Sequence, residues 1–325
     1  MTALITGISG QDGAYLSKLL LSHGYKIVGI TRSYKNLNLK GLSYLGIASE
    51  VIIEECNLLD FTSIIKLLEK YKPHEIYNLA AQSSVYESFQ QPIGTFQFNT
   101  LSVLNLLEAI KLVNKKIKFY QASSSEMFGR VKHLPITEDT EFYPQSPYAI
   151  SKAAAHWACV NYRESYDMFI ACGILFNHES YLRNENFFIK KLISNCLLIK
   201  AGKLEYIQLG NLDIQRDFGF SPSYVEVMYL MMQSKTPQSL LICSGESISL
   251  KEIAHYVFAK MGVSIDKIKI NKDLFRPTEI PEIYGNPKKA KEILGWKYNL
   301  SFKQVLDILI EEEISNHPKK ETENL

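Results

Sequence analysis

"TALITGISGQDGAYLSKLLLSHGY", residues 2–25, reads as a short apolar strand, a glycine-rich turn and an amphipathic helix that Gly24 closes. Gly7, Gly10 and Gly13 are spaced GxxGxxG across the turn. Glycines there let the backbone turn tightly and leave no Cβ between the helix N-terminus and an approaching pyrophosphate. A glycine trio alone also suits an ordinary tight turn. Its place in the first strand–turn–helix unit makes it a dinucleotide site.

The same rhythm continues outward. "KIVGITRS" (26–33), "VIIEECNLLD" (51–60), "HEIYNLAAQ" (74–82), "KIKFYQASS" (116–124) and "FIACGILFN" (169–177) read as further strands. Between them "FTSIIKLLEKY" (61–71), "NTLSVLNLLEAIKLV" (99–113) and "SPYAISKAAAHWACVNYRESY" (146–166) read as helices. Strands that are continuous apolar runs, alternating with helices, are buried on both faces of a parallel sheet. The fold class is therefore α/β, a Rossmann-type doubly wound parallel sheet. Beyond Asn177 the alternation breaks, and "LEYIQLG" (204–210) and "SLLICSG" (239–245) mix with helices over 187–202 and 249–262. The expected division is residues 1–176 as the dinucleotide-binding domain, with some later segments returning to it. Residues 177–315 form a smaller C-terminal α/β substrate lobe, and the polar tail 316–325 frays.

Composition narrows the class. The 325 residues are 46% hydrophobic and 22% charged, with a net charge of +2, as in a globular protein with no nucleic-acid or membrane partner. Cys56, Cys159, Cys172, Cys196 and Cys243 are odd in number and lack CxxC spacing, which suits reduced thiols in a cytoplasmic protein. The chain starts directly on a strand, with no signal-like stretch. No apolar run is long enough to span a bilayer. Seven histidines form no ligand pair, so no metal is expected.

Three features point to chemistry. The second strand ends "GITRS" without the carboxylate that would bind a ribose 2′-hydroxyl. Arg32 suits a 2′-phosphate instead, the alternative being a solvated surface arginine. "YAISK" sets Tyr148 and Lys152 four apart on one helix face, where an ammonium lowers a phenol pKa that is ordinarily about 10. That pair alone is a common accident; beside this glycine loop it is an acid–base pair. Lastly, "QASSSEMFGR" (121–130) places three hydroxyls and Glu126 at the carboxyl end of a buried strand, the edge where α/β sheets bind ligands. The plainer reading of Glu126 is a cap or surface acid.

With Gly7, Gly10, Gly13, "NLAAQS" (78–83) and Tyr148-x-x-x-Lys152, the chain resembles the extended short-chain dehydrogenase/reductase superfamily. "LITGISGQDGAYL", "FYQASSSEMFG", "SPYAISKAAAHW", "GILFNHES", "LGNLDIQRDFG" and "LFRPTEI" narrow the resemblance to the GDP-mannose 4,6-dehydratase family, to about residue 315. The resemblance implies a lyase that removes water from GDP-mannose to give GDP-4-keto-6-deoxy-mannose, with NADP carrying a hydride from C4 to C6. It assigns Ser124, Glu126, Tyr148 and Lys152 as catalytic: Tyr148 deprotonates the C4 hydroxyl, Ser124 holds that oxygen, and Glu126 removes the C5 proton. Cofactor contacts fall on the three glycines, Gln11, Asp12, Arg32, Asn57, Leu58, Leu79, Ala80, Ala81, Gln82, Ser83, Tyr148, Lys152, His178 and Arg183. The GDP-sugar falls on Ser88, Asn177, Lys191, Arg216, Arg276 and Glu279, where guanidinium forks suit a pyrophosphate. The superfamily further implies a homodimer through the helix carrying Tyr148, or a homotetramer.

The chain departs from the family in places. Asn57-Leu58 stands where Asp-Leu is usual, at an adenine contact. "SYKNLNLKGLSYLG" (33–46) is shorter than its counterpart, which meets the cofactor and a neighbouring subunit. Gly94 replaces a tyrosine, and "HESYLRNENF" (178–187) replaces "HESPRRGETF". The rival readings are a dehydratase, reductase or epimerase of another GDP-sugar such as GDP-manno-heptose, and a non-catalytic NADP(H)-binding regulator.

Overall fold

The computed structural model describes residues 1–323, the side chains of Asn36 and of 317–323 excepted. Strand β1 (Thr2–Thr6) leads to helix α1 (Gln11–Ser22), β2 (Lys26–Thr31), the short α2 (Lys40–Tyr44), β3 (Val51–Glu55), α3 (Phe61–Tyr71) and β4 (Glu75–Asn78). Two short helices, α4 (Val85–Gln90) and α5 (Pro92–Phe96), run through a π-helical turn (Gln97–Leu101) into α6 (Ser102–Val113), then β5 (Lys118–Ser124), α7 (Pro147–Tyr166) and β6 (Ile170–Leu175). Next come β7 (Asn177–Glu179), α8 (Phe188–Lys200), β8 (Ile207–Leu209), β9 (Gln215–Arg216), β10 (Phe218–Phe220), α9 (Ser221–Gln233) and β11 (Ser239–Ile242). The chain closes with β12 (Ile248–Ser249), α10 (Leu250–Met261), β13 (Ile268–Ile270), β14 (Glu282–Ile283), α11 (Lys288–Leu294) and α12 (Phe302–Glu323).

Seven strands form one parallel sheet in the order β11-β6-β5-β4-β1-β2-β3. This is the doubly wound α/β sheet that the alternating pattern predicts. The strand order reverses between β1 and β4, and at such a point α/β sheets open a crevice beyond the carboxyl ends of the strands. Both faces are buried because successive side chains point oppositely. Ala3 and Ile5 of β1 join the core with α1 and α9, while Leu4 joins the core with α3, α6 and α7. A separate cluster of α8, α10 and α12 fills the second lobe. From that half of the sequence, β11 returns to the main sheet and α9 packs on α1.

Local chemistry sets the helix ends that matter. Asp60 caps α3 by accepting from Thr62 N–H and Ser63 N–H. Ser146 caps α7 by accepting from Ala149 N–H at 3.1 Å, with Pro147 in the first turn. The tail expected to fray from residue 316 continues α12 to Glu323, and residues 324–325 lie outside those described. Among the described residues no helix is long and apolar enough to cross a membrane.

Candidate active site

The glycine turn and the loop after β4 meet at the reversal point. A Cβ on Gly7 would stand 2.9 Å from Ala80 N, and one on Gly13 2.5 Å from Gly7 O, so close backbone approach excludes side chains at both. Gly10 caps α1 without a side chain, leaving the first-turn N–H groups of a twelve-residue helix open to an anion. Thr6 Oγ1 accepts from Leu79 N–H and Ala80 N–H at 3.1 Å each and donates to Asn78 Oδ1 at 2.6 Å. Asn78 Nδ2 then donates to Gln121 Oε1 at 2.8 Å, so a polar chain fixes the ends of β1, β4 and β5. A cradle without Cβ atoms over an uncapped helix N-terminus fits a dinucleotide pyrophosphate.

Ser124, Tyr148 and Lys152 come together beyond the end of β5. All three are buried. Lys152 Nζ donates to Ala122 O at 2.8 Å and lies 5.9 Å from the Tyr148 ring centre. Burial pulls the Lys152 ammonium down to about 8. The expected lowering of Tyr148 is absent from the protein alone: burial pushes its phenol up to about 12, and a hydrogen bond with Ser124 only partly offsets this. Lys152 directs an N–H to the Ala122 carbonyl, and desolvation dominates the Tyr148 shift.

Glu126 follows in a single 3-10 turn, its N–H donating to Ser124 Oγ at 3.2 Å. Its carboxylate points across the crevice, 4.0 Å from Arg276 Nη1. Arg216, the middle strand residue of a small β12-β9-β14 sheet, completes the group. Its Nη1 donates to Gln215 O and Ile280 O at 2.7 Å each, while its buried Nη2 has no hydrogen-bond partner. Burial lowers the Arg216 pKa, Glu126 opposes that, and Arg276 adds to it. Arg276 N–H donates to Glu279 Oε1 at 3.2 Å. An orphaned, buried guanidinium nitrogen beside a second arginine is suited to an anionic ligand.

The profile of the GDP-mannose 4,6 dehydratase family matches residues 4–309. The chain belongs to this family. GDP-mannose 4,6 dehydratase 1 of Arabidopsis thaliana is 41% identical over 323 residues, covering 96% of this chain and 89% of the plant protein. The human GDP-mannose 4,6 dehydratase is 38% identical over 339 residues, covering 96% of this chain and 91% of its own. In fold, the chain matches dTDP-glucose 4,6-dehydratase of Streptomyces venezuelae, solved with NAD, at a TM-score of 0.89, 17% identity and 98% coverage of both chains. It also matches RMD of Pseudomonas aeruginosa, solved with NADPH, at 0.80 and 23% identity, over 97% of this chain and 99% of that one. The family expected from the motifs is thus the family found.

Other residues carried over from the GDP-mannose 4,6-dehydratase family take varied places. Asp12 and His178 spend their side chains on each other: His178 Nε2 and Asp12 Oδ2 are 2.9 Å apart, and Ser221 Oγ donates to Asp12 Oδ1 at 2.7 Å. Gln11 Nε2 donates to His178 O, and Ser180 Oγ to Gln11 Oε1. These bonds tie α1 to β7 and α9. Arg183 Nε lies 3.5 Å from Glu179 Oε1, and its guanidinium stacks on Phe187. Asn177 Nδ2 donates to Asp217 O at 3.3 Å and Lys191 Nζ to Gln208 O at 3.3 Å, both in the second lobe. Ser88 is fully buried, its hydroxyl donating to Val85 O within α4. Asn57 Oδ1 accepts from Leu59 N–H, Leu58 O accepts from Asn105, Arg32 is exposed, and Ala81 and Ser83 lie on the loop after β4. Among the described residues no three His, Cys, Asp or Glu side chains could hold a metal.

Asn99 has no place in the sequence reading. It sits in the π-helical turn, accepts from Gln82 N–H at 2.8 Å, and donates to Gln82 O and Ser151 Oγ at 3.0 Å each. Ser151 Oγ in turn donates to Tyr148 O at 2.7 Å. A π turn beside a candidate site is its structural signal; hydrophobic spacing gives none.

Proposed function

We propose that this chain is an NADP-dependent GDP-mannose 4,6-dehydratase, and the observation that carries the proposal is Glu126. A simple reductase of this fold needs only the Ser124–Tyr148–Lys152 group. Here a carboxylate stands beside that group at the mouth of the crevice, facing the arginines that suit a diphosphate. The close relatives bear the same name from plant to human, which favours GDP-mannose over another GDP-sugar.

Tyr148 takes the proton of the C4 hydroxyl, and Ser124 holds that oxygen against it. NADP held on the Gly7–Gly13 cradle would supply the reversible hydride chemistry that links C4 and C6. The C4 ketone acidifies C5–H; Glu126 removes that proton and passes it to the departing C6 hydroxyl, which leaves as water. Tyr148 then gives its proton back to C5. Lys152 supplies a cation beneath the phenol, and Arg216 and Arg276 hold the diphosphate. The Gly7–Gly13 cradle holds the cofactor pyrophosphate, and Arg32 meets the 2′-phosphate.

The assembly we propose is a homodimer through α7 and the α4–α6 segment. Ile150 and Trp157 of α7 are 47% and 59% exposed, and Ile93, Phe96 and Leu112 are exposed on α5 and α6, the helices that contact α7. All five cysteines are free and buried, which suits a cytoplasmic setting.

The test is mass spectrometry of products from GDP-mannose and GDP-manno-heptose, with absorbance of reduced nicotinamide followed in one turnover. Tyr148→Phe should block oxidation. Glu126→Gln should permit it, slow water loss by about 10²–10⁴, and accumulate a 4-keto sugar that keeps its C6 hydroxyl. Near-full turnover by Glu126→Gln would remove Glu126 from the mechanism.

A further inference from the structure

The second strand, β2, ends at Thr31, and Thr31 is paired in register with Glu55 at the end of the edge strand β3. The chain then turns through Ser33 into a short 3-10 segment, Tyr34–Asn36. That turn is fastened to the edge strand. Tyr34 N–H donates to Glu55 Oε2 at 2.7 Å, and the Tyr34 hydroxyl donates to Ile53 O at 3.1 Å. Within the turn, Thr31 Oγ1 donates to Ser33 O and Ser33 Oγ accepts from Lys35 N–H, each at 3.2 Å. The neighbouring Glu54 is engaged elsewhere, with Lys70 and Tyr71. The Glu55 carboxylate is therefore fixed to the turn that follows β2, the segment that also carries the exposed Arg32. Among the described residues Arg32 has no hydrogen bond or ion pair.

In dinucleotide-binding α/β folds this strand end receives the adenosine ribose. A carboxylate there accepts from the ribose 2′-hydroxyl, whereas an arginine accommodates a 2′-phosphate. This chain supplies both, Arg32 from the second strand and Glu55 from the third, and the two act in opposite directions on a phosphate dianion. We infer that Glu55 is a specificity-determining residue for the cofactor: its fixed negative charge weakens binding of the 2′-phosphorylated dinucleotide and leaves the unphosphorylated one nearly unaffected. Arg32 and Lys35 outweigh it, so NADP(H) is preferred by a narrower margin than Arg32 alone would give. The inference rests on the NADP reading above.

Glu55→Gln keeps an acceptor for Tyr34 N–H and removes only the charge. Equilibrium binding of NADPH and of NADH to the full-length chain, read by nicotinamide fluorescence, needs no turnover. We expect E55Q to bind NADPH roughly three- to tenfold more tightly at low salt, with the gain shrinking as ionic strength rises and NADH shifting by less than about twofold. An unchanged NADPH affinity, or an equal gain for both cofactors, overturns the role of Glu55. Arg32→Ala separates the two levels of the claim. If it weakens NADPH alone while E55Q changes nothing, Glu55 is excluded and the NADP reading stands. If it weakens both cofactors equally, or neither, the 2′-phosphate does not lie at this strand end and both fail.

Discussion

Asn99→Ala tests whether the π turn couples the cofactor loop to the catalytic helix. Asn99 is 3% exposed, and its amide makes three hydrogen bonds, two to Gln82 and one to Ser151. Alanine removes all three. An unmade buried partner costs about 1–3 kcal/mol, and Gln82 is partly buried, so water recovers some of it; the net loss is about 2–4 kcal/mol. Unfolding entropy for a chain of this length is about 0.7 kcal/mol/K, so Tm should fall by about 3–6 °C in calorimetry. Stability alone does not separate a scaffold from a positioning residue. The second consequence does. Ser151 fixes the Tyr148 carbonyl, and Gln82 lies on the loop that meets Gly7, so losing Asn99 loosens reacting groups against each other. The arginines that suit GDP lie across the crevice and keep their contacts. The variant should therefore lose about ten- to a hundredfold in kcat with a much smaller change in KM for GDP-mannose. Full kcat in a destabilised variant would make Asn99 a scaffold residue only, and an unchanged Tm would mean that the three bonds do not hold in solution.

Asp12→Asn should destabilise most in mildly acidic solution. Burial works against charge on His178, but Asp12 outweighs it and raises His178 above 6.5, so that contribution is present below 6.5 and lost as pH rises through the raised value. Burial likewise works upward on Asp12, yet His178, Ser221 and Arg183 hold it below 3.8, so its contribution is present above 3.8 and lost as pH falls through the lowered value. The Tm penalty of Asp12→Asn should be largest between pH 3.8 and 6.5 and shrink as pH rises above 6.5; a penalty that grows with pH would remove the ion pair. Gly13→Ala forces a Cβ against Gly7 O and Ile8 Cα, both backbone atoms, and should abolish measurable NADPH binding by fluorescence titration; wild-type affinity would show that the cradle is not used. Ile150→Glu with Trp157→Glu should leave Tm nearly unchanged in a protein that light scattering finds monomeric; a persistent dimer would place the interface elsewhere.

The main sheet was legible because parallel strands buried on both faces tend to be continuous apolar runs, and "ALI", "IVGI" and "FIACGIL" are such runs. The glycine cradle was legible because close backbone approach excludes every other residue type at Gly7 and Gly13. Residues 85–98 were assigned no secondary structure, and 99–101 were read as the start of a regular helix. They form two five- to six-residue helices and a π turn, too short for a 3.6-residue period to accumulate, and "QQPIGTF" carries a proline and a glycine. Their geometry is set by Asn99 bonding to distant segments, which no local pattern encodes. The two-residue strands β9, β12 and β14 escape for the same reason, although one of them positions Arg216. Tyr148 and Lys152 were visible as a pair, but not the depth of their burial, which reverses the expected direction of the phenol shift.

Glu126 shows how the proposed site draws on distant parts of the chain. The strand-end run "SSSE" places a carboxylate at the sheet edge, and the arginines that face it, Arg216 and Arg276, come from far along the chain. Those arginines reach the crevice only if the second lobe is held to the sheet. The Asp12–His178–Ser221 bonds do this on one side. Asp217 does it on the other. It is the residue after Arg216, and it accepts from Ser244 N–H at 2.8 Å, Ser244 Oγ at 2.7 Å and Gly245 N–H at 3.0 Å, just past the end of β11 in the main sheet. Burial raises the Asp217 carboxyl to about 6, and these hydrogen bonds pull it back only in part. A buried carboxylate that receives so many donors fixes the backbone of Arg216 against the sheet, so the guanidinium can spend its unpartnered nitrogen on a ligand instead of on the fold.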